Sequence, residues 1–410
     1  MSRALLRRLF DAAIERATAP VCLPPHLPPP PKGRTMAIGA GKAAAAMAKV
    51  VEQHWQGPLE GLVVTRYGHG VPTRRIEVVE AAHPVPDAKG EEAARRMLEM
   101  VRDLGPDDLA LCLISGGASA LLALPAPGLT LEDKRTVTRS LLRAGATIHQ
   151  INAVRKHLSA IKGGRLAMAA YPAETVTLAI SDAPGDDLSV IGSGPTVPDP
   201  STFADARAVL ARFGIEPPPA IARHLDREAE ESPKPGDDRF ARARATIVAR
   251  PADSLAAAAA LAGEAGYAVE ILGDALEGEA RDLGTAHARL AMERAERGGR
   301  LCLISGGETT VTVRGQGKGG RNVEYLLGLA LGLGGAAGIS AIAGDSDGID
   351  GTEDNAGAVA DPTTLARGPD AAARLADNDA YSYFAALDDL VVTGPTRTNV
   401  NDFRAILIER

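Results

Sequence analysis

LCLISGGETTVTVRGQGKGGRNVEY, from Leu301 to Tyr325, is the stretch on which the fold reading turns. The apolar run Leu301 to Ile304 reads as a strand that stops at Ser305-Gly306-Gly307. The β-branched run Thr309 to Val313 predicts a second strand. A glycine-loaded loop carrying Arg314, Lys318 and Arg321 follows, and Val323 to Leu331 predicts a helix. Strand, glycine turn, basic glycine loop and helix start make a layout for gripping an anion. Glycines let backbone N–H groups come close, and a helix N-terminus adds partial positive charge. The heptapeptide LCLISGG also stands at Leu111 to Gly117, there followed by the helix opening Ala118 to Leu122. Either copy alone also fits a plain strand–turn–helix joint. The pair, joined to a basic loop, predicts two α/β units, each with a loop at its crest.

Composition agrees with two domains. The chain has 410 residues, 45% of them hydrophobic, with only 3% aromatic, so its cores are built from Ala, Val, Leu and Ile. Net charge is −7, with acids and bases interspersed, which argues against nucleic acid as a partner. Cys22, Cys112 and Cys302 are scattered, with neither a disulfide framework nor zinc spacing. Charges interrupt the apolar runs of the opening MSRALLRRLFDAAIERA, so it does not read as a signal peptide, and no long uncharged apolar run predicts a membrane span. The expectation is a soluble cytoplasmic protein.

Along the chain, Leu5 to Ile14 predicts an amphipathic helix, and Pro20 to Pro31 an extended connector. Strands are expected at Thr35 to Ile38, Leu62 to Thr65, Ile76 to Ala81, 111–117 and Thr175 to Ile180, with helices between them, one spanning Ile151 to Ala169. The Pro- and charge-rich stretch Glu216 to Asp238 reads as the domain boundary. This gives an N-terminal Rossmann-like domain over residues 1–236 and a smaller C-terminal α/β domain over 237–410. Ala245 to Ala249 and later strands fall in the second. Alternating strands and helices imply a mostly parallel sheet in each.

Gly39-Ala40-Gly41-Lys42-Ala43-Ala44 follows a strand, opens a helix and fits a relaxed GxGxxA dinucleotide turn. That reading needs an acid at the end of the next strand, for a ribose hydroxyl. The next strand ends in Thr65-Arg66, which leaves open only a variant using Arg66 for a 2′-phosphate. The preferred reading makes Lys42 a point charge at a helix start, aimed at a carboxylate or phosphoryl group. Two acidic loops, Ser181-Asp182 to Asp187 and Asp345 to Asn355, are either Asp-Gly turns or holders of Mg²⁺ on nucleotide phosphates. Asn152 to Arg165 packs bases on a predicted helix, usually a solvated face, but Gly163-Gly164 between Lys162 and Arg165 hints at close backbone approach. His83 ends a strand and either faces the site or is structural. No hydrolase elbow, Walker A loop or protein-kinase signature is present. Phosphoryl transfer suits such a chain, because it relies on positioning and cations.

IGAGKAAAAMA, AAHPVPD, LISGGASALL, INAVRKHLSAIKGGRLA, SDAPGDDLSVIGSGPTVPDP, LISGGETTVTVRGQGKGGRNVEY, AGDSDGIDGTEDNAGA and TNVND together resemble the glycerate 2-kinases with a MOFRL-type C-terminal domain. The resemblance covers nearly the whole chain. It implies ATP-dependent phosphorylation of D-glycerate at the 2-hydroxyl, in a cleft between domains, with Lys42 and Arg321 as the principal active-site cations. With it go ATP and Mg²⁺ as cofactors. Gly39, Gly41, Ser115, Gly116, Gly117, Ser305, Gly306, Gly307, Glu308, Lys318, Gly319 and Gly320 are expected around the nucleotide. Arg155, Lys162 and Asn399 are expected on the substrate, and Asp182, Asp187, Asp345 and Asp347 as metal or base candidates. A homo-oligomer is compatible with this reading. Family members often carry the name hydroxypyruvate reductase, and an NAD(P)H-dependent reductase is the competing reading. A non-catalytic sugar-acid sensor would need a DNA- or partner-binding module, and no basic segment offers one. Two departures bear on the site. Arg397 replaces the glycine usual in GPTGTNVND, and Arg250-Pro251 replaces a small residue followed by Asn.

Overall fold

The computed structural model describes residues 2–409. In chain order the strands are β1 (Thr35–Ala40), β2 (Leu59–Arg66), β3 (Ile76–Ala81), β4 (Leu109–Ile114), β5 (Glu174–Ile180), β6 (Ala243–Ala249), β7 (Ala268–Leu276), β8 (Arg300–Gly307), β9 (Ile339–Asp345), β10 (Gly357–Ala360), β11 (Leu390–Val391) and β12 (Asp402–Glu409). The helices are α1 (Ser2–Ala17), α2 (Ala19–Cys22), α3 (Ala44–His54), α4 (Ala88–Arg102), α5 (Ala118–Leu121), α6 (Leu131–Arg143), α7 (Ile148–His157), α8 (Arg165–Ala170), α9 (Phe203–Arg212), α10 (Pro219–Arg227), α11 (Pro251–Glu264), α12 (Ala280–Ala295), α13 (Arg321–Leu333), α14 (Thr364–Arg367), α15 (Ala371–Ala376) and α16 (Ala380–Ala386).

Two compact units result, one of residues 22–248 and one joining 1–21 to 249–410. The first holds a six-stranded sheet in the order β3-β2-β1-β4-β5-β6. Its pairings β3–β2, β2–β1, β1–β4 and β4–β5 are all parallel. This is the strand order of the doubly wound α/β class. Every residue of β1 and β4 is buried, as strands covered on both faces require, which is why they read as unbroken apolar runs. Side-chain caps start the helices where the sequence changes register. Asp87 accepts from the Gly90 N–H at 3.0 Å, and Thr130 with Asp133, and Thr147 with Gln150, close capping boxes on α6 and α7.

The second unit departs from the expected parallel sheet. Its six strands run β11-β10-β9-β12-β8-β7. Only β7–β8 is parallel, while β8–β12, β12–β9, β9–β10 and β10–β11 are antiparallel. Two strands cause this: β12 inserts between β8 and β9 in the opposite direction, and β10 runs against both β9 and β11. The partition expected at 236/237 also differs from the observed one. Helix α1 buries Leu6, Leu9, Phe10 and Ala13 in the core of the second unit, with the Phe10 and Phe403 ring centroids 5.9 Å apart. Strand β6 is the edge of the first sheet, and the stretch read as a boundary contains α10, whose Ile221 and Leu225 are buried in a satellite core with Phe203 and Leu210.

Smaller elements differ as well. Thr309 to Val313 forms no strand beyond a single bridge from Thr310 to Glu279. Pro20 to Pro31 holds α2 and a turn of 3₁₀ helix at Pro24–His26, with proline tolerated at the first positions. The two LCLISGG copies also fold differently. In the first, the strand ends at Ile114 and Ser115-Gly116-Gly117 turns into α5. In the second, β8 runs through Gly307, because β12 pairs with it from Ser305 to Gly307. Gly307 lies at φ 117°, and a Cβ there would stand 2.2 Å from Leu276 backbone atoms, so glycine is what lets β7 approach.

Candidate active site

In a doubly wound sheet, ligands bind beyond the carboxyl ends of the strands at the point where strand order reverses. Here that point lies between β1 and β4, and two turns meet there. The Lys42 N–H donates to the Gly116 carbonyl at 2.9 Å, and the Ala43 N–H to Ser115 Oγ at 3.0 Å. Gly41 lies at φ 134°, and a Cβ on it would stand 2.1 Å from Ser115 Oγ. Gly39 is equally closed in, by the Leu113 backbone at 2.0 Å. The glycines around Lys42 therefore fasten its turn to the Ser115-Gly116-Gly117 turn. A Cβ on Gly117 would stand 3.0 Å from the His83 ring and 3.5 Å from Lys42 Cγ, so these three residues share one corner.

Beside that corner opens a cavity of about 340 Å³ lined by His83, Gly117, Ser119, Lys134, Arg135, Arg139, Arg155 and Lys162, with Pro84, Val85, Leu131 and Leu142 as apolar wall. Arg155 and Lys162, both expected on the substrate, are brought together here. They do not lie on one helix. The chain leaves α7 at His157, and Gly163 and Gly164, at φ 58° and 82°, turn it before α8. A Cβ on Gly164 would stand 2.8 Å from the Phe240 ring and 2.9 Å from the Val197 carbonyl oxygen, which explains the glycine pair. The turn drives Lys162 inward to 1% exposure, where its Nζ donates to the carbonyls of Ser119 at 2.9 Å and Gly192 at 3.3 Å. Lys134 is buried too and donates to the Leu124 carbonyl at 3.2 Å. Burial, with the Arg155 charge second, pushes Lys134 down to about 7. Burial, then the charges of Lys134 and Arg155, pushes Lys162 well below the ordinary lysine range. Asp182, half-buried just past β5, and Asp187, exposed, with one oxygen accepting from the Ser189 N–H at 2.8 Å, are in the same unit.

In the second unit the centre is Arg321, the first residue of α13. Its Nε donates to Asp402 at 2.8 Å, its Nη2 to Asp345 at 2.8 Å and its Nη1 to Glu308 at 2.5 Å. The register explains the grouping, since Asp402 at the start of β12 lies opposite Gly307 at the end of β8 and Asp345 at the end of β9. Burial opposes the guanidinium charge, but Asp402, Asp345 and Glu308 together raise its pKa. Asp402 is held in turn by Asn322 Nδ2 at 2.8 Å and by Arg404 Nη2 at 2.6 Å. Asp350 accepts from the Asn322 and Val323 N–H groups at 3.0 and 2.9 Å and so caps α13 from within. Burial pushes its carboxyl up to about 6.

The glycine loop before α13 is where a phosphate cradle was expected. The N–H groups of residues 314–318 are engaged by the chain itself: Arg314 and Gly315 by Asn378 Oδ1, Gln316 by Asp377, Gly317 by the Asp377 carbonyl and Lys318 by Asp379. Lys318 projects into solvent and meets Glu353 at 3.5 Å. A Cβ on Gly320 would stand 2.3 Å from Asp350, so this glycine serves close packing, and Gly319 is nearest the Asn378 carbonyl oxygen at 3.1 Å. Ser305 and Gly306 lie inside β8, and Glu308 is a partner of Arg321. Asp345 and Asp347 each accept a backbone N–H two residues on, at 2.9 and 2.8 Å, so the acidic loop is built of Asx turns with buried carboxylates. Asn399 is buried in the second unit, beside Val400, whose N–H donates to Ser346 Oγ at 2.8 Å. Among the described residues no group of three or more His, Cys, Asp or Glu could hold a metal ion, and no helix is long and apolar enough to cross a membrane.

Sequence reading missed Lys134, Arg135 and Arg139, which look like a solvated face of α6, and Arg404, while Asp350 and Asp402 lie in the acidic loop and the TNVND stretch that it singled out. Counted from Leu131, Lys134, Arg135, Arg139 and Leu142 stand at i+3, i+4, i+8 and i+11, and that spacing is the signal that places them on one face.

Comparison with known proteins fits this architecture. Residues 5–226 match a family described as a domain of unknown function, DUF4147, and residues 301–402 match the MOFRL family. A D-glycerate 2-kinase from Thermotoga maritima is 40% identical over 90% of this chain and 89% of its own length. A chain from Agrobacterium vitis, provisionally named hydroxypyruvate reductase, is 53% identical over 99% of this chain and 94% of its own. The crystal structure of a glycerate kinase from Thermotoga maritima superposes with a TM-score of 0.89 at 37% identity, covering 99% of each chain.

Proposed function

Because the chain belongs to the glycerate 2-kinase family that joins a DUF4147 domain to a MOFRL domain, we propose that it phosphorylates D-glycerate at the 2-hydroxyl with ATP. The observation that carries the reading is the cationic corner at the β1/β4 switch point, where Lys42 stands beside a cavity lined by Lys134, Arg135, Arg139, Arg155 and Lys162. No acid is among the cavity's lining residues. Hydride transfer from NADH calls for an acid on the ribose at the end of β2, and β2 ends instead in Thr65-Arg66, which fits only the 2′-phosphate variant of the reductase reading.

In the reaction the glycerate 2-hydroxyl oxygen bonds to the γ-phosphorus, the bond to the bridging oxygen breaks, and ADP leaves. The hydroxyl proton passes to a carboxylate, for which Asp182 is the candidate in the same unit as Lys42. Lys42 supplies a compact charge to the transferring group. Asp402 and Asp345 fix the Arg321 guanidinium, and its Nη1, now on exposed Glu308, is the edge offered to an anion. Mg²⁺ arriving with the nucleotide would be held by Asp182 or Asp187. One or two carboxylates beside phosphate oxygens suffice for such an ion, so the lack of a full protein cage is no obstacle. Such an ion would supply positive charge against the phosphate oxygens of the donor. Asp345 and Asp347 fit this role less well, because Asp345 has both oxygens engaged by Arg321 and the Asp347 N–H.

A coupled ADP-release assay with D-glycerate tests the proposal, with NADH and hydroxypyruvate as the parallel arm. ADP formation that depends on glycerate supports the kinase. Nicotinamide oxidation that scales with protein purity overturns it.

A further inference from the structure

The cavity in the first unit holds an imbalance of charge. Lys134 and Lys162 are buried, Arg155 is half-buried, and among the described residues none of the three has a hydrogen bond or salt bridge to a carboxylate. Lys134 and Lys162 donate to backbone carbonyls alone. Taking cations out of water with no counter-charge is costly, and they normally appear inside a protein only when paired. The arrangement is built rather than incidental. Leu131, Lys134, Arg135, Thr138, Arg139 and Leu142 all line the cavity from one face of α6, while Val137 and Leu141 on the other side are buried in a core. The exposed face of an amphipathic helix is thus turned onto a concave wall.

We propose that this cavity seats the nucleotide, with the polyphosphate on Lys134, Arg155 and Lys162 and the nucleoside on the apolar wall of Pro84, Val85, Leu131 and Leu142. The proposal rests on the kinase reading and deepens it, by assigning the donor to residues outside the glycine loops. Two observations select this ligand over the acceptor acid. A three-carbon acid brings one carboxylate, whereas the lining presents Lys134, Arg135, Arg139, Arg155 and Lys162. The volume of about 340 Å³ is also within the range of pockets that take drug-sized ligands, far larger than glycerate needs. The wall meets the Lys42 corner at Gly117, which puts the phosphate end beside the proposed catalytic lysine.

The test uses the full-length protein with Lys134→Met and Arg139→Ala. Titration with a non-hydrolysable ATP analogue gives the Kd, and steady-state kinetics give KM for ATP and for glycerate. Lys134→Met weakens the analogue by about tenfold or more, the loss expected for one desolvated phosphate contact, and leaves the glycerate KM within about twofold. Its unliganded Tm stays level or rises, because an uncompensated buried charge has been removed. A purely structural lysine would lower Tm and leave Kd alone. If Lys134→Met does not fold, exposed Arg139→Ala carries the same comparison with a smaller loss, about threefold. A rise in glycerate KM at constant analogue Kd overturns the proposal and hands the cavity to the acceptor. Unchanged Kd in both variants overturns it as well. Wild-type protein that binds the analogue through Lys134 yet releases no ADP with glycerate sinks the acceptor assignment and keeps the cavity assignment.

Discussion

Arg321 Nε lies 2.8 Å from Asp402 Oδ1, and Asp402 has no freedom to follow a different cation, because Arg404 holds its other oxygen at 2.6 Å. The Arg321 guanidinium is therefore positioned from behind by the middle of the sheet. A lysine in its place can meet one carboxylate, but not Asp402, Asp345 and Glu308 at once. Arg321→Ala and Arg321→Lys should both lower kcat by about 10²–10³ with smaller changes in KM, the scale of a lost transition-state stabiliser. Near-wild-type kcat in Arg321→Lys would remove the geometric argument.

Asp402→Asn tests the same network through stability. It leaves the buried guanidinium of Arg404 and the half-buried one of Arg321 short of a charge partner, a loss of about 3–5 kcal/mol for a broken buried pair. Urea unfolding measures it, and a cost below about 1 kcal/mol would mean the network is not tightly coupled. Glu308, by contrast, is exposed at 53% of its side chain. Glu308→Gln should change stability by no more than about 1 kcal/mol and keep kcat within about threefold.

Much of this fold was legible and some of it could not be. Strands β1 and β4 announce themselves because they are buried on both faces and carry no polar break. The pair Gly163-Gly164 announced a close backbone approach, found for Gly164 at Phe240 and the Val197 carbonyl. The placing of α1 was not legible, since an apolar stripe such as Leu6, Leu9 and Phe10 says that a helix packs but not on what. Nor was the insertion of β12, because a run such as Ala405 to Ile408 looks alike in parallel and antiparallel sheets. The LCLISGG pair misled for a related reason. Identical residues end a strand in one copy and continue it in the other, and the difference lies in β12, about a hundred residues away from β8. Lys134 and Arg139 were hidden by the ordinary rule that charged helix faces are solvated.

Arg397 sits at φ 59°, in the left-handed region that glycine favours, at a loop position where the resembled family has glycine. Arg397→Gly should leave the loop in place. Relief of strain, about 1 kcal/mol, is offset by the added freedom of the unfolded chain, so stability should shift by less than about 1 kcal/mol. A large change in Tm would show that the arginine side chain itself holds the loop.

The Lys134 amine gives a pH signature. In the unliganded fold, burial and Arg155 depress it to about 7, with Glu91 opposing, and Lys162 faces it from the other side of the cavity. Its unfolded value is about 10.4. The unfolded state then binds more protons across that window, so this group makes stability rise as pH goes from about 7 toward 10. A polyanion seated on Lys134 favours the charged form, so binding should take up protons at pH 8 and weaken as pH rises. Calorimetry in two buffers of different ionisation enthalpy reads the uptake, and Lys134→Met should abolish most of it. No proton uptake in the wild type would detach Lys134 from the ligand.

The most direct measurement of the central claim is ADP release by the purified protein, with Mg²⁺ and ATP, across D-glycerate, tartronate, lactate and hydroxypyruvate, followed in Lys42→Ala alongside the wild type. The account predicts turnover with D-glycerate, and a loss in Lys42→Ala that appears in kcat more than in KM by about 10²-fold or more. A glycerate-independent ATPase, or oxidation of NAD(P)H by hydroxypyruvate that tracks the protein through purification, would contradict it.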